Sequence, residues 1–298
     1  MFRPSLLVAI LIFVLGCSST PKTATTPAAA DEKLEIIDVH MHNHFSNEPE
    51  RTSGITDSRE QFLKELRDAN VVGAVVHMGA GEDTADATLG DYGVLFCAGV
   101  EGKVNAKLLE KQLKSGRYGC IKIYLGYIYQ YAYDKNYEPA YELAEKYDVP
   151  VVFHTGDTYS SEGLLKFADP LTIDEVAVKH RKVQFVIAHC GNPWVQSAAE
   201  VAYKNPNVAL ECSALMIGDL KESSPETIEE LLIKPTRYVL TYVEDPSKLM
   251  FGTDWPLIHV KDYLEVYKRA IPREHWKAVF HDNARRIFKK MPVRKKAP

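Results

Sequence analysis

The sequence predicts an α/β fold, a (β/α)8 TIM barrel. Two observations carry that prediction. From Leu34 onward, eight short apolar runs alternate with longer amphipathic ones. The short runs are apolar along their whole length, as strands are when helices cover both faces of a parallel sheet. A doubly wound open sheet is the main alternative, but no strand candidate is followed by the Gly-rich phosphate-binding turn that would favour it. The chain has 298 residues, enough for one barrel of about 250 residues plus an N-terminal extension.

The elements follow in order. The run at 34–40, "LEIIDVH", is the first strand. In 58–70, Phe62, Leu63 and Leu66 have helical spacing and Ser58 is placed to cap the helix. Strands two and three are 71–79 and 92–100. The helix at 105–117 ends near Gly116, a C-cap residue. Strand four is 119–126, "GCIKIYLG", and a helix at 137–148 leads into strand five, "VPVVFHTG". A short helix at 171–180 precedes strand six, 183–191. A helix at 194–205 precedes strand seven, 207–215. The stretch 225–243 is a helix interrupted at Pro235. Strand eight is 248–256, "KLMFGTDWP", and helices at 260–271 and 273–290 close the chain.

Residues 1–33 stand apart. Arg3 precedes "LLVAILIFVLG", an apolar run too short for a membrane span of about 20 residues. Residues 1–16 therefore read as a secretory signal. "VLGC" resembles a bacterial lipobox, which implies cleavage before Cys17, lipidation of its thiol and anchoring at a membrane. Residues 17–33, rich in Thr, Pro and Ala, form a flexible tether, and 34–298 form the barrel domain. The expected location is the bacterial envelope, facing the periplasm, and Ser18 favours the outer membrane. Cys97, Cys120, Cys190 and Cys212 each sit in an apolar run with no framework spacing and read as small buried hydrophobes rather than disulfides.

The composition, 46% hydrophobic and 26% charged with a formal charge of −4, is that of a globular protein. It gives no electrostatic reason to expect nucleic acid. A small-molecule substrate is the expected partner, and homo-oligomerisation is left open.

In a parallel barrel, reactive groups gather at the C-terminal ends of strands. His40 and His42 close strand one, Lys122 lies near the end of strand four, His154 ends strand five, His189 ends strand six and Asp254 ends strand eight. Strand geometry turns His40 and His42 to the same face. With His154 and Asp254 they make a set of three nitrogens and one oxygen, which suits Zn²⁺, with Mn²⁺ or Fe²⁺ as alternatives. His77, ending strand two, also faces the mouth by this logic. His44 falls in the following loop. Tyr124, Tyr127 and Trp255 are candidate pocket residues.

With those residues in place, the chain resembles the amidohydrolase superfamily. It is most similar to the amidohydrolase-2 branch, which includes aminocarboxymuconate-semialdehyde decarboxylase-like enzymes. The stretches that carry the resemblance are "IIDVHMH", "GCIKIYLG", "VPVVFHTG", "FVIAHCGNPW", "LMFGTDWP" and "HDNARRIFKK". The resemblance implies a metal at the barrel mouth, with His40, His42, His154 and Asp254 as ligands and His189 in acid/base chemistry. In two-metal relatives His154 and His189 hold the second ion and a carboxylated strand-four lysine bridges both. Lys122 lies in the matching region, and one metal is the favoured number here. The expected reaction is hydrolysis of a small amide, ester or lactone by a metal-activated water, with Asp254 and His189 catalytic. Non-oxidative decarboxylation or hydration of a carboxylated substrate is the alternative.

Overall fold

The computed structural model describes residues 34–81 and 85–298. The expected signal segment, Cys17 and the expected tether lie outside them. Eight strands form one parallel sheet in sequential order: β1 (Ile36–Met41), β2 (Val71–Ala80), β3 (Val94–Val100), β4 (Tyr118–Tyr124), β5 (Val151–His154), β6 (Phe185–Ile187), β7 (Val208–Glu211) and β8 (Leu249–Met250). β8 is short, and the chain beyond it completes the ring. Val39 N donates to Phe251 O at 3.0 Å, Asp254 N to His40 O at 2.7 Å and His42 N to Trp255 O at 2.8 Å. The sheet is thereby closed into a (β/α)8 barrel. Every residue of β1, β3, β5 and β6 is buried, as continuous apolar runs require.

Helices α1 (Arg59–Asp68), α2 (Ala106–Lys114), α3 (Glu138–Tyr147), α4 (Thr172–Lys179) and α5 (Val195–Lys204) follow β1, β3, β4, β5 and β6. Ser58 Oγ accepts from Gln61 N and caps α1. Gly116, at φ +75°, follows the α2 cap residue Ser115. After β7, α6 (Pro225–Ile228) runs through a π-helical turn, Glu229–Ile233, into α7 (Lys234–Val243). Pro235 therefore does not end the helix. It stands in the first turn of α7, and the widened turn before it absorbs the missing N–H. α8 (Val260–Ala270) and α9 (Asn283–Ile287) complete the layer.

The cysteines overturn the sequence reading. Cys97 is bonded to Cys120, and Cys190 to Cys212. All four are buried, as expected of small apolar groups, but they are paired. The barrel supplies the reason, because Cys97 and Cys120 are register partners on adjacent strands. Cys190 and Cys212 follow the adjacent strands β6 and β7. Spacing along the chain carried no sign of either juxtaposition.

Candidate metal centre and active site

The site begins with a carboxylate inside β1. Asp38 is fully buried and accepts from His40 N (3.0 Å), Thr253 N (3.1 Å) and Thr253 Oγ1 (2.6 Å). It thus ties β1 to the segment that carries Asp254. Burial pushes its pKa up to about 7, against the pull of those hydrogen bonds.

His40 lies within β1, its Nδ1 2.6 Å from Glu211 Oε1. With Nδ1 protonated for that bond, Nε2 is left as a lone pair. His42 Nδ1 meets the backbone oxygen of His77 at 3.1 Å, which frees its Nε2 in the same way. Asp254 Oδ1 is 3.1 Å from His42 Nε2 and 3.5 Å from His40 Nε2. It is buried and makes no hydrogen bond. These ligand atoms lie within 4.8 Å of one another. Two imidazole nitrogens and a carboxylate oxygen brought together in this way are the donor types that suit Zn²⁺.

Lys122 is fully buried in β4 with Nζ 3.4 Å from His40 Nε2. Desolvation lowers its pKa to about 8, against the attraction of Glu211 and Asp254. Desolvation pulls His40 well below the usual histidine range, and the Lys122 charge adds to the effect. Burial works against the Asp254 carboxylate, but His42, His189 and Lys122 outweigh it and hold its pKa below the usual range.

His189 follows β6 at φ +58° and Asp254 follows β8 at φ +71°, left-handed conformations uncommon outside glycine. His189 Nδ1 is 2.9 Å from Ser213 Oγ and 3.2 Å from Ser213 O, and its Nε2 is 3.1 Å from His154 Nδ1. Burial brings His189 down to about 4 despite Asp254, so the ring is neutral near pH 7.

Of the four ligands expected from sequence, the structure gathers His40, His42 and Asp254. His154 stands beside His189 instead. Its Nε2 is 2.9 Å from Asp157 O, and it is not a member of the three-atom group. His77 is buried beneath the site, edge-on to His40 at 4.2 Å, with Nε2 3.1 Å from Val39 O. It does not line the cavity. His44 does, as do Tyr124 and Tyr127, whereas Trp255 is wholly buried in the core.

Glu211 is the principal residue that sequence reasoning missed. Besides binding His40, it accepts from His189 N (3.2 Å) and Ser213 N (2.7 Å). Burial pushes its pKa up to about 7. Gly252 makes room for it, because a Cβ there would stand 2.8 Å from Glu211 Oε2 and 3.0 Å from His40 Cβ. The available signal was a lone carboxylate in the otherwise apolar run "VALECSAL". These groups open into a cavity of about 520 Å³ at the C-terminal ends of the strands, joined by a recess of about 170 Å³.

Fold and site together define a (β/α)8 barrel with a group of His and Asp donors, able to hold a metal ion, at the C-terminal ends of its strands. The amidohydrolase family profile matches residues 37–290, and the chain belongs to that family. A search of curated proteins finds no match. Solved structures with the same fold include a zinc-bound amidohydrolase from Burkholderia multivorans, with 15% identity and a TM-score of 0.62 over 85% of this chain and 99% of that one. A probable 2-pyrone-4,6-dicarboxylic acid hydrolase from Acinetobacter baumannii has 16% identity and a TM-score of 0.64 over 85% and 99%. A 5-carboxyvanillate decarboxylase from Sphingomonas paucimobilis has 12% identity and a TM-score of 0.58 over 86% and 99%. The family holds hydrolases and decarboxylases alike.

Proposed function

We propose that the protein is a metal-dependent hydrolase of a small amide, ester or lactone. The observation that carries this reading is the meeting of His40 Nε2, His42 Nε2 and Asp254 Oδ1 at the cavity floor. One divalent ion, Zn²⁺ foremost, bound there would supply Lewis-acid polarisation of a carbonyl and of water. Asp254, held ionised, orients the attacking water and accepts its proton. His189, neutral and anchored on Ser213, carries a proton toward the leaving amine or alkoxide. Lys122 Nζ sets a positive charge at the cavity floor, where negative charge develops on the carbonyl oxygen. The products are an acid and an amine or alcohol.

Decarboxylation on the same site calls for cations to hold the substrate carboxylate. Among the described residues lining the cavity and its recess, Lys122 is the only Lys or Arg, which favours hydrolysis. The test is metal analysis of the purified protein followed by screening of small amides, esters, lactones and carboxylated aromatics. Hydrolysis should fall by about 10²–10⁴-fold or more in Asp254→Ala, with circular dichroism still that of a folded barrel. Release of CO₂ without any hydrolysis would overturn the reading.

We also propose export and lipid anchoring through Cys17, on the outer membrane facing the periplasm. Two disulfides within the barrel support an oxidising compartment. Fatty-acid labelling that persists in Cys17→Ser would refute the anchor.

A further inference from the structure

We propose that the mouth of this cavity selects substrates carrying a cationic group, an ammonium above all, held away from the reacting carbonyl by Glu50, Glu101 and tyrosine faces. The proposal rests on the reading of the cavity as a catalytic pocket, but its test reads binding and needs no turnover.

The charge distribution leads to it. Glu50 and Glu101 line the cavity with Tyr127 and Tyr159, and the adjoining recess adds Asp157. Among the described residues of either lining, the one Lys or Arg, Lys122, is wholly buried beside His40. The outer carboxylates therefore have no partner of opposite charge in the lining. Glu50 is fixed in place: its Oε2 accepts from Thr52 N (2.7 Å) and Ser53 N (2.6 Å), and its Oε1 from Tyr159 OH (2.8 Å). Glu101 is exposed and, among the described residues, has neither a hydrogen bond nor an ion pair.

The tyrosines supply the second half of the recognition. A cation over an aromatic face, with carboxylates nearby, is the arrangement that binds ammonium groups. Tyr159 already takes one cation in this way, with the Arg51 guanidinium 5.2 Å from its ring centroid. Arg51 is exposed and stands outside the lining. The smaller recess, of about 170 Å³, has Leu215, Met216 and Ile217 in its lining beside Asp157, Asn192 and His189. The apolar stretch 215–217 fits a small uncharged group on the other side of the scissile bond. A dianionic substrate would meet repulsion at the rim before reaching the metal donors.

The test is isothermal titration of the zinc-loaded protein with choline and with 3,3-dimethylbutan-1-ol, which has carbon in place of the charged nitrogen. Choline should bind about tenfold more tightly, the scale of one such charge contact at a protein surface, and the preference should weaken with salt. In Glu101→Gln the choline preference should drop at least about threefold, with an unchanged melting temperature showing that the fold survives. Glu50→Gln should lower it further. Equal affinities in the wild type, no detectable choline binding, or an unchanged preference in Glu101→Gln would each overturn the proposal. So would tighter binding of isophthalate that Arg51→Ala abolishes, repeated on chelator-treated protein to remove ligation to the ion. Loss of the hydrolase reading would show separately, as CO₂ release in the activity screen.

Discussion

At the scale of single residues, the proposed metal donors are oriented by partners that commit their other ring atoms. His40 presents Nε2 to the cavity because Glu211 holds Nδ1 at 2.6 Å. His42 does the same because a backbone oxygen holds its Nδ1. Such partners fix the tautomer and raise ligand basicity, and losing one weakens metal affinity by about 10–100-fold. Glu211→Gln should therefore lower zinc affinity by that factor in a competition titration with a chromophoric chelator. Unaltered affinity would mean that Glu211 serves packing alone. The His-x-His pair was legible because strand side chains alternate with period two. Glu211 was not, because a lone acid in a strand shows no partner until the neighbouring strands are known.

At the scale of elements, the site depends on how β1 meets the chain after β8. Asp38 bridges them through Thr253. Its folded pKa, about 7, stands above its ordinary 3.8. A raised acid pKa means that its stabilising contribution is complete below about pH 4 and is lost as pH rises through 7. Asp38→Asn, which cannot ionise, should escape that loss. The melting-temperature gap between wild type and variant should therefore shrink or reverse from pH 5 to pH 8; a constant gap would contradict the assignment. The Cys190–Cys212 bond flanks both His189 and Glu211 and closes a separation of 22 residues. A loop of that length corresponds to about 3 kcal/mol of unfolded-state entropy. The Cys190→Ser/Cys212→Ser protein should unfold at correspondingly lower denaturant concentration, and identical midpoints would show that the bond adds nothing.

At the scale of the whole molecule, the proposed donor atoms come from β1 and the residue after it and from the segment beyond β8, the first and last strands of the ring. An ion held by these residues would favour the folded state by mass action. Saturating zinc at about 100 times its Kd should add about 2.7 kcal/mol. Chelator treatment should lower the melting temperature and zinc should restore it. Insensitivity to both would argue against a metal spanning the closure.

Barrel class, strand order and the positions of His40, His42, Lys122, His154, His189 and Asp254 were readable in the chain, because apolar periodicity and strand ends are local properties. Local pattern also placed the α1 N-cap at Ser58 and the end of α2 to within one residue, the cap being Ser115 and the left-handed Gly116 following it. Which ligand atoms meet was decided only by folding. His154 turned toward His189, His77 sank beneath the site, Glu211 came up behind His40, and four cysteines became two cystines. Each of these outcomes depends on register between strands distant in sequence, and register is set by how the closed barrel packs.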